Sequence, residues 1–166
     1  MSERVPAPGD LALIEALVNT LDIEAGADAL DTEDGRAPFG LAEGDTETAR
    51  ELRESLRAAL LAHAGHPAHQ DVPPLGELLA RAPLLLVLDA HDGSARLAPA
   101  DPEPLLSRVA SAVAQSLVAG TWPRLKACEA PTCHWAYYDR SPAGRGRWCS
   151  MAVCGARAKM RRYRAK

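Results

Sequence analysis

The sequence predicts a mainly α protein with one β-hairpin. A helical N-terminal domain over residues 1–120 precedes a small C-terminal finger, treble-clef-like, over residues 121–166. Three observations carry this prediction. Helical periodicity of apolar residues recurs three times before residue 120. All four cysteines, and six of the seven aromatic residues, lie after it. The charge divides at the same place: residues 121–166 hold eleven Lys/Arg against Glu129 and Asp139, net +9, while the first 120 residues hold eight basic against twenty acidic groups, net −12. A basic tail on an acidic body points to a polyanionic partner for the tail, which the overall charge of −3 conceals.

Residues 1–9 read as a frayed leader. A first helix is predicted over residues 10–20, with Asp10 as N-cap and Leu11, Ile14, Val18 and Leu21 at helical spacing. Residues 22–44, rich in Gly and acidic groups, read as a long loop. A second helix is predicted over 45–63, with Leu52, Leu56, Ala59 and Leu60 as its buried stripe and Arg50, Glu54 and Arg57 on a wetter face. Gly65 and Pro67 end it. Pro73-Pro74 opens a short helical piece reaching Arg81. The run Leu84-Leu85-Leu86-Val87-Leu88, then His91-Asp92-Gly93-Ser94 and Ala95-Arg96-Leu97, reads as a β-hairpin. A third helix is predicted over 102–119, with Leu106, Val109, Val113 and Leu117 as its core stripe and Gly120 as its end.

No apolar run is long enough to span a bilayer; the longest, around residues 82–88, is strand-sized and broken by Pro83. The first residues lack a charged-then-apolar signal pattern. The reading is a cytoplasmic protein with no membrane partner, and in that compartment paired cysteines serve more often as metal ligands or redox groups than as disulfides.

The cysteines are Cys128, Cys133, Cys149 and Cys154: C-x4-C, a fifteen-residue spacer, then C-x4-C. Two pairs around a hairpin-length spacer let each tight turn supply two thiolates to one tetrahedral site, and the expected cofactor is a structural Zn2+. Four thiolates leave no open position for catalysis. The spacer fits this plan, with strand-like Trp135-Ala136-Tyr137-Tyr138-Asp139, a turn over residues 141–146, and Arg147-Trp148 returning to Cys149. From Met151 onward the chain favours helix. Knuckle, hairpin and ligands at a helix start describe a treble-clef-like finger; a zinc ribbon is the alternative. A module of about forty residues with few aliphatics cannot hold itself together by burial, and zinc binding, at about 10–16 kcal/mol in small fingers, can. His134 is read as a packing or surface residue rather than a ligand.

The stretches Thr121-Trp122-Pro123-Arg124-Leu125-Lys126-Ala127-Cys128, Cys133-His134-Trp135-Ala136-Tyr137-Tyr138-Asp139-Arg140-Ser141 and Arg147-Trp148-Cys149-Ser150-Met151-Ala152-Val153-Cys154-Gly155-Ala156-Arg157 resemble the CGNR zinc-finger family. The body resembles the ABATE domain usually fused to it, through Val18-Asn19-Thr20-Leu21, Ala82-Pro83-Leu84 and the following hairpin. The resemblance spans nearly the whole chain. It implies a bacterial zinc-binding protein of the stress-related transcription-regulator type. One position departs: the Cys-Gly-Asn-Arg signature is here Cys154-Gly155-Ala156-Arg157, so the asparagine amide is absent while the ligands are intact.

Beyond Cys154 a helix would align Arg157, Arg161 and Arg164 along one line and Lys159, Arg162 and Lys166 along another, with no acidic i,i+4 partner. Arg140, Arg145 and Arg147 on the hairpin add to this field. These nine residues are the candidate nucleic-acid contacts, with DNA as the expected partner; docking of the tail on the acidic body is a rival. A single finger offers a small contact area, which makes a homodimer through the body a reasonable expectation. His63, His66 and His69 read as a solvated loop, and Asn19-Thr20 as a helix-terminal hydrogen-bonding pair. The sequence holds no Gly-rich phosphate loop, no nucleophile with an evident base and no metal-protease pair, so an enzyme reading has no positive support. The functional expectation is a DNA-binding regulator whose body senses a ligand or dimerises. Alternatives are a zinc-stabilised protein adaptor, or a small-molecule-binding body with a purely structural finger.

Overall fold

Six helices and three two-stranded antiparallel sheets make up residues 5–165, the part of the chain that the computed structural model describes. The order is α1 (Leu11–Val18), β1 (Leu21–Asp22), β2 (Ala27–Asp28), α2 (Glu33–Arg36), α3 (Thr46–His63), α4 (Leu75–Leu79), β3 (Leu84–Leu88), β4 (Ala95–Pro99), α5 (Leu105–Val118), β5 (Leu125–Ala127), β6 (Ala136–Tyr138) and α6 (Ala156–Arg164). The mainly helical class and the β3–β4 hairpin match the sequence prediction. Among the described residues no helix is long and apolar enough to cross a membrane.

α1, α3 and α5 pack together because each carries an apolar stripe: Leu11, Ile14, Leu17 and Val18; Leu52, Leu56, Leu60 and Leu61; Leu105, Val109, Ala112 and Val113. The predicted α5 stripe holds at Val109 and Val113, but Leu105 is buried where Leu106 is only half-buried, and Leu117 near the helix end is 57% exposed. The same core continues across residues 120–124 into Leu125 and Ala127 of β5 and Ala136 of β6. The knuckle strands of the finger are therefore packed into the body.

Three parts of the sequence reading change. Residues 22–44 are a structured connector holding a miniature β1–β2 ladder, α2 and several 3-10 turns, not a plain loop. The start of the chain is tied down where it is described: Ala7 is buried, and the Arg140 guanidinium donates to the carbonyls of Val5 (3.1 Å) and Pro6 (2.6 Å). Residues 1–4 of the predicted leader lie outside the described residues. On α3, the face assigned to water is the most buried polar surface in the protein: Arg57 is 0% exposed, Arg53 3% and Glu54 9%. Hydropathy periodicity assigns charges to solvent by default, and here a paired network overrides it.

Core truncation on α3 and a surface change on α5 are expected to differ sharply. Leu56→Ala should lower unfolding free energy by about 2–5 kcal/mol, whereas Leu117→Ser should change it by no more than about 0.5 kcal/mol, both read from urea unfolding followed by circular dichroism.

Candidate metal centre

β5 and β6 flank the first cysteine turn and pair antiparallel, Leu125 with Tyr138 and Ala127 with Ala136. The sequence reading pairs residues 135–139 with the segment at 147–148; the observed partner is the strand before the knuckle. The turn reverses through His134, which adopts φ +47°, a left-handed conformation uncommon for a residue with a side chain. Two interactions hold it there: the His134 ring donates from Nδ1 to the Cys128 carbonyl (2.9 Å), and Arg57 donates to the His134 carbonyl (2.8 Å). His134 is thus a structural member of the knuckle.

Arg57 reaches the knuckle from inside the body. Its three nitrogens donate to Glu54 Oε2 (2.9 Å), the His134 carbonyl and the Val18 carbonyl at the end of α1 (2.8 Å). Burial would raise the Glu54 carboxyl, but the hydrogen bond from His69 and the charges of Arg57 and Arg53 hold it at about 2. Asn19 makes a second link, using both ends of its amide. Nδ2 donates to the Ala136 carbonyl (3.0 Å) and Oδ1 accepts from the Ala136 N–H (2.7 Å), so the side chain acts as one more rung beside β6. The histidines read as a solvated loop are also engaged. His63 donates to the Leu125 carbonyl (2.7 Å) and meets Trp122 edge-on, His69 donates to Glu54 (2.9 Å), and His66 stands 3.4 Å from Glu129.

The second cysteine pair is placed by the loop after β6. Lys126 and Asp139, both buried, pair at 2.9 Å. Asp139 also accepts from the backbone N–H groups of Ser141 (3.0 Å) and Gly146 (2.7 Å), and Arg124 donates to the carbonyls of Asp139 (3.1 Å) and Ser141 (2.6 Å). A Cβ at Gly146 would stand 2.9 Å from the Asp139 carboxyl, so the loop closes only around glycine. The Glu129 N–H donates to the Arg147 carbonyl (3.0 Å), bringing the returning chain beside the knuckle. A π-helical turn, Met151–Gly155, then opens into α6; Ser150 caps it, its hydroxyl accepting from the Val153 N–H. Gly155 is pressed against Trp148 and Met151, where a Cβ would lie 3.1–3.2 Å from their side chains.

The result is four sulfurs that all lie within 4.8 Å of one another. Cys133 and Cys149 Sγ are 3.6 Å apart, and Cys149 and Cys154 Sγ 3.7 Å. Four thiolates at about 2.3 Å from a tetrahedral Zn2+ must stand roughly 3.8 Å apart, so these spacings fit the ion and are far too long for disulfides. The electrostatics fit equally. Hydrogen bonds from Cys133 and Cys149 hold the Cys128 thiol far below its usual range, while its sulfur neighbours push the Cys133 thiol up. Four thiols this close cannot all ionise without a cation among them. The buried cluster around them contains Cys128, Ala130 and Cys154, with Cys133, Trp148 and Cys149 against it. A distal finger so poor in aliphatics takes the ion as its core.

The candidate nucleic-acid contacts separate into two groups. Arg140 holds Val5 and Pro6 and lies over the Tyr138 ring, Arg147 pairs with Glu129, and Arg157 pairs with Glu24 of the β1–β2 turn (2.8 Å). Arg145, Lys159, Arg161, Arg162 and Arg164 are exposed, with no ion pair among the described residues. Lys166 lies outside the described residues. Among the described residues, the four cysteines are the only grouping of three or more His, Cys, Asp or Glu with metal-site geometry. Sequence reasoning does not single out Arg57, Asn19, Arg124, Lys126 and Asp139 for these roles. Asn19 and Arg57 find partners 117 and 77 residues away, beyond any local pattern.

A helical body closed by a preformed knot of four cysteines defines a zinc-finger protein, with Zn2+ as its cofactor. The family profile for the CGNR zinc finger matches residues 124–166. The ABATE profile, described as "Putative stress-induced transcription regulator", matches residues 9–120. The chain belongs to the ABATE family and carries the CGNR finger at its C-terminal end. No curated protein matches the chain.

Arg57→Met is expected to cost about 3–5 kcal/mol in urea unfolding of the zinc-loaded protein, because it takes one cation from the buried Glu54 and leaves the Val18 and His134 carbonyls without their donor. Removing zinc with a chelator should abolish amide hydrogen-exchange protection over residues 128–155 well before α1 and α3 lose theirs.

Proposed function

We propose that this protein is a zinc-dependent DNA-binding transcription regulator. In this reading Cys128, Cys133, Cys149 and Cys154 ligate one structural Zn2+, and α6 delivers the phosphate contacts. The observation that carries it is the surface of α6. Lys159, Arg161, Arg162 and Arg164 stand exposed on one short helix that leaves the knot, and Met160 and Tyr163 between them are 52% and 79% exposed. Apart from Arg157, which pairs with Glu24, the charges and apolar groups of this helix lie outside the protein's own fold, and such a surface is suited to an external anionic one. The partnered cations sharpen the assignment. Arg140 and Arg157 tie the finger to the body and Arg147 pairs within the finger, so Arg145, Lys159, Arg161, Arg162 and Arg164 are the contacts proposed. The family description supports a regulator, and in this reading the body senses a ligand or self-associates.

Ala156, where the family signature has asparagine, is exposed at the first position of α6. An asparagine at this exposed position would point its amide outward beside the α6 cations, so alanine removes that polar contact and leaves the metal ligands as they are. Gly155 beside it is the residue the packing requires.

Fluorescence anisotropy with random duplex DNA across salt concentrations tests the reading. Five phosphate contacts give a log–log slope of about −4 to −5. Arg161, Arg162 and Arg164 changed together to Ala should flatten the slope by about 2–3 with zinc content unchanged. Absence of binding at about 50 mM salt would sink the DNA reading.

A further inference from the structure

The β3–β4 hairpin is used by neither the zinc knot nor the proposed DNA surface. β3 reads Leu84-Leu85-Leu86-Val87-Leu88, five aliphatic residues without a charge. Leu85, Leu86 and Leu88 are 54%, 64% and 66% exposed. Soluble proteins protect sheet edges with charges, prolines, bulges or a covering element. β4 has two such devices: Pro99 removes an N–H from its edge, and α5 packs against the strand. β3 has no charge and no proline of its own, α5 reaches it less than it does β4, and its sheet contains no third strand among the described residues.

The register shows where the β3 backbone points. The Ala100 N–H donates to the Pro83 carbonyl (3.0 Å) and the Asp89 N–H to the Ser94 carbonyl (2.8 Å). Hydrogen-bonded rungs alternate from these two, so Leu85 with Ala98 and Val87 with Arg96 face each other across the ladder. Leu84, Leu86 and Leu88 therefore direct their N–H and C=O groups away from β4, toward the open edge. A two-stranded hairpin is marginal by itself, and this one offers a complete row of unused backbone groups.

We propose that β3 is the interface for a second copy of this chain, pairing antiparallel with its own symmetry mate about a two-fold axis at Leu86. The strand is self-complementary in that register. Leu84 stands opposite the partner's Leu88, Leu86 opposite the partner's Leu86, and Leu85 opposite the partner's Val87. Each outward-facing pair exchanges both N–H···O bonds, and no rung brings like charges together. The two hairpins merge into one four-stranded sheet, and an isologous contact of this kind closes at the dimer. Leu86, Leu97, Gln115 and Val118 line an adjoining groove of about 710 Å³, and the partner's leucines extend its apolar wall. Val118, 82% exposed at the end of α5, lies along the same side. The contact is small, so the dimer is expected to form at micromolar concentration. This inference does not rest on DNA binding, and its test contains no DNA.

Leu86 sits on the proposed axis and meets itself, which makes a charge-pairing test decisive. Sedimentation equilibrium of the full zinc-loaded chain should give a dimer for the wild type. Leu86→Lys alone and Leu86→Glu alone should each be monomeric at about 100 μM, because like charges then face each other across the axis. An equimolar mixture of the two should recover the dimer. Zinc content and far-UV circular dichroism should be unchanged, since Leu86 contributes nothing to the buried core. A wild-type chain that stays monomeric at about 100 μM, a dimer indifferent to both substitutions, or a mixture that remains monomeric would each overturn the proposal.

Discussion

A positive charge with no exposure to water joins the two halves of this protein. The Arg57 guanidinium lies where α1, α3 and the cysteine knuckle converge, and each of its nitrogens is committed to a different one of them. Glu54 supplies the countercharge and is itself held by Arg53 and His69. A buried ion pair of this kind is poor evidence of net stability, because desolvation opposes its attraction. Its geometry is what matters here. The His134 carbonyl can accept from Arg57 only when the knuckle turns through its left-handed residue, and that turn sets the first two sulfurs. Asn19 and His63 repeat the arrangement on either side, binding the backbone of β6 and β5. The body thus holds the first half of the metal site through its own side chains.

The same division of labour reorganises the charge asymmetry. Eleven basic residues in the last forty-six look like one cationic field. In space, Arg124 and Lys126 hold the loop that carries the second cysteine pair, and Arg140, Arg147 and Arg157 lash the finger to the leader, the knuckle and the β1–β2 turn. Of these, Arg157 alone pairs with an acidic group of the body, Glu24; the others take carbonyls or the finger's own carboxylates. The cations that remain are concentrated on α6, beyond the reach of those acidic partners.

What the sequence reveals follows the range of the physics involved. Cysteine spacing is local and reports a geometric need, so the knot is legible. So are α3 and the β3–β4 hairpin, whose periodicity and turn residues are local as well. The predicted α5 stripe is right at Val109 and Val113 and fails at Leu117, where the last residues of the helix are exposed. The connector at 22–44 escapes prediction because its elements are too short to show a period. The polar contacts are hidden for a different reason. Arg57 on an amphipathic helix has the same local pattern as a solvated arginine, and only its tertiary partners distinguish the two. His63 ends α3 and His66 and His69 follow on the loop, and each finds its own partner, the Leu125 carbonyl, Glu129 and Glu54, only once the loop folds against the knuckle.

The continuity of the core across residues 120–124 has a consequence for synthesis. Leu125, Ala127 and Ala136 belong to the same buried cluster as Ile14 and Leu56, and Asn19 waits for a strand made more than a hundred residues later. As the chain leaves the ribosome, the body emerges with part of its interior still unmade and Arg57 without its acceptor on the knuckle. Chains of this size commonly fold N-terminal units first; this one cannot finish its first unit until its last has formed. Completion of the body's interior thus waits on β5 and β6, while the separate cluster around the cysteines adds nothing to that core.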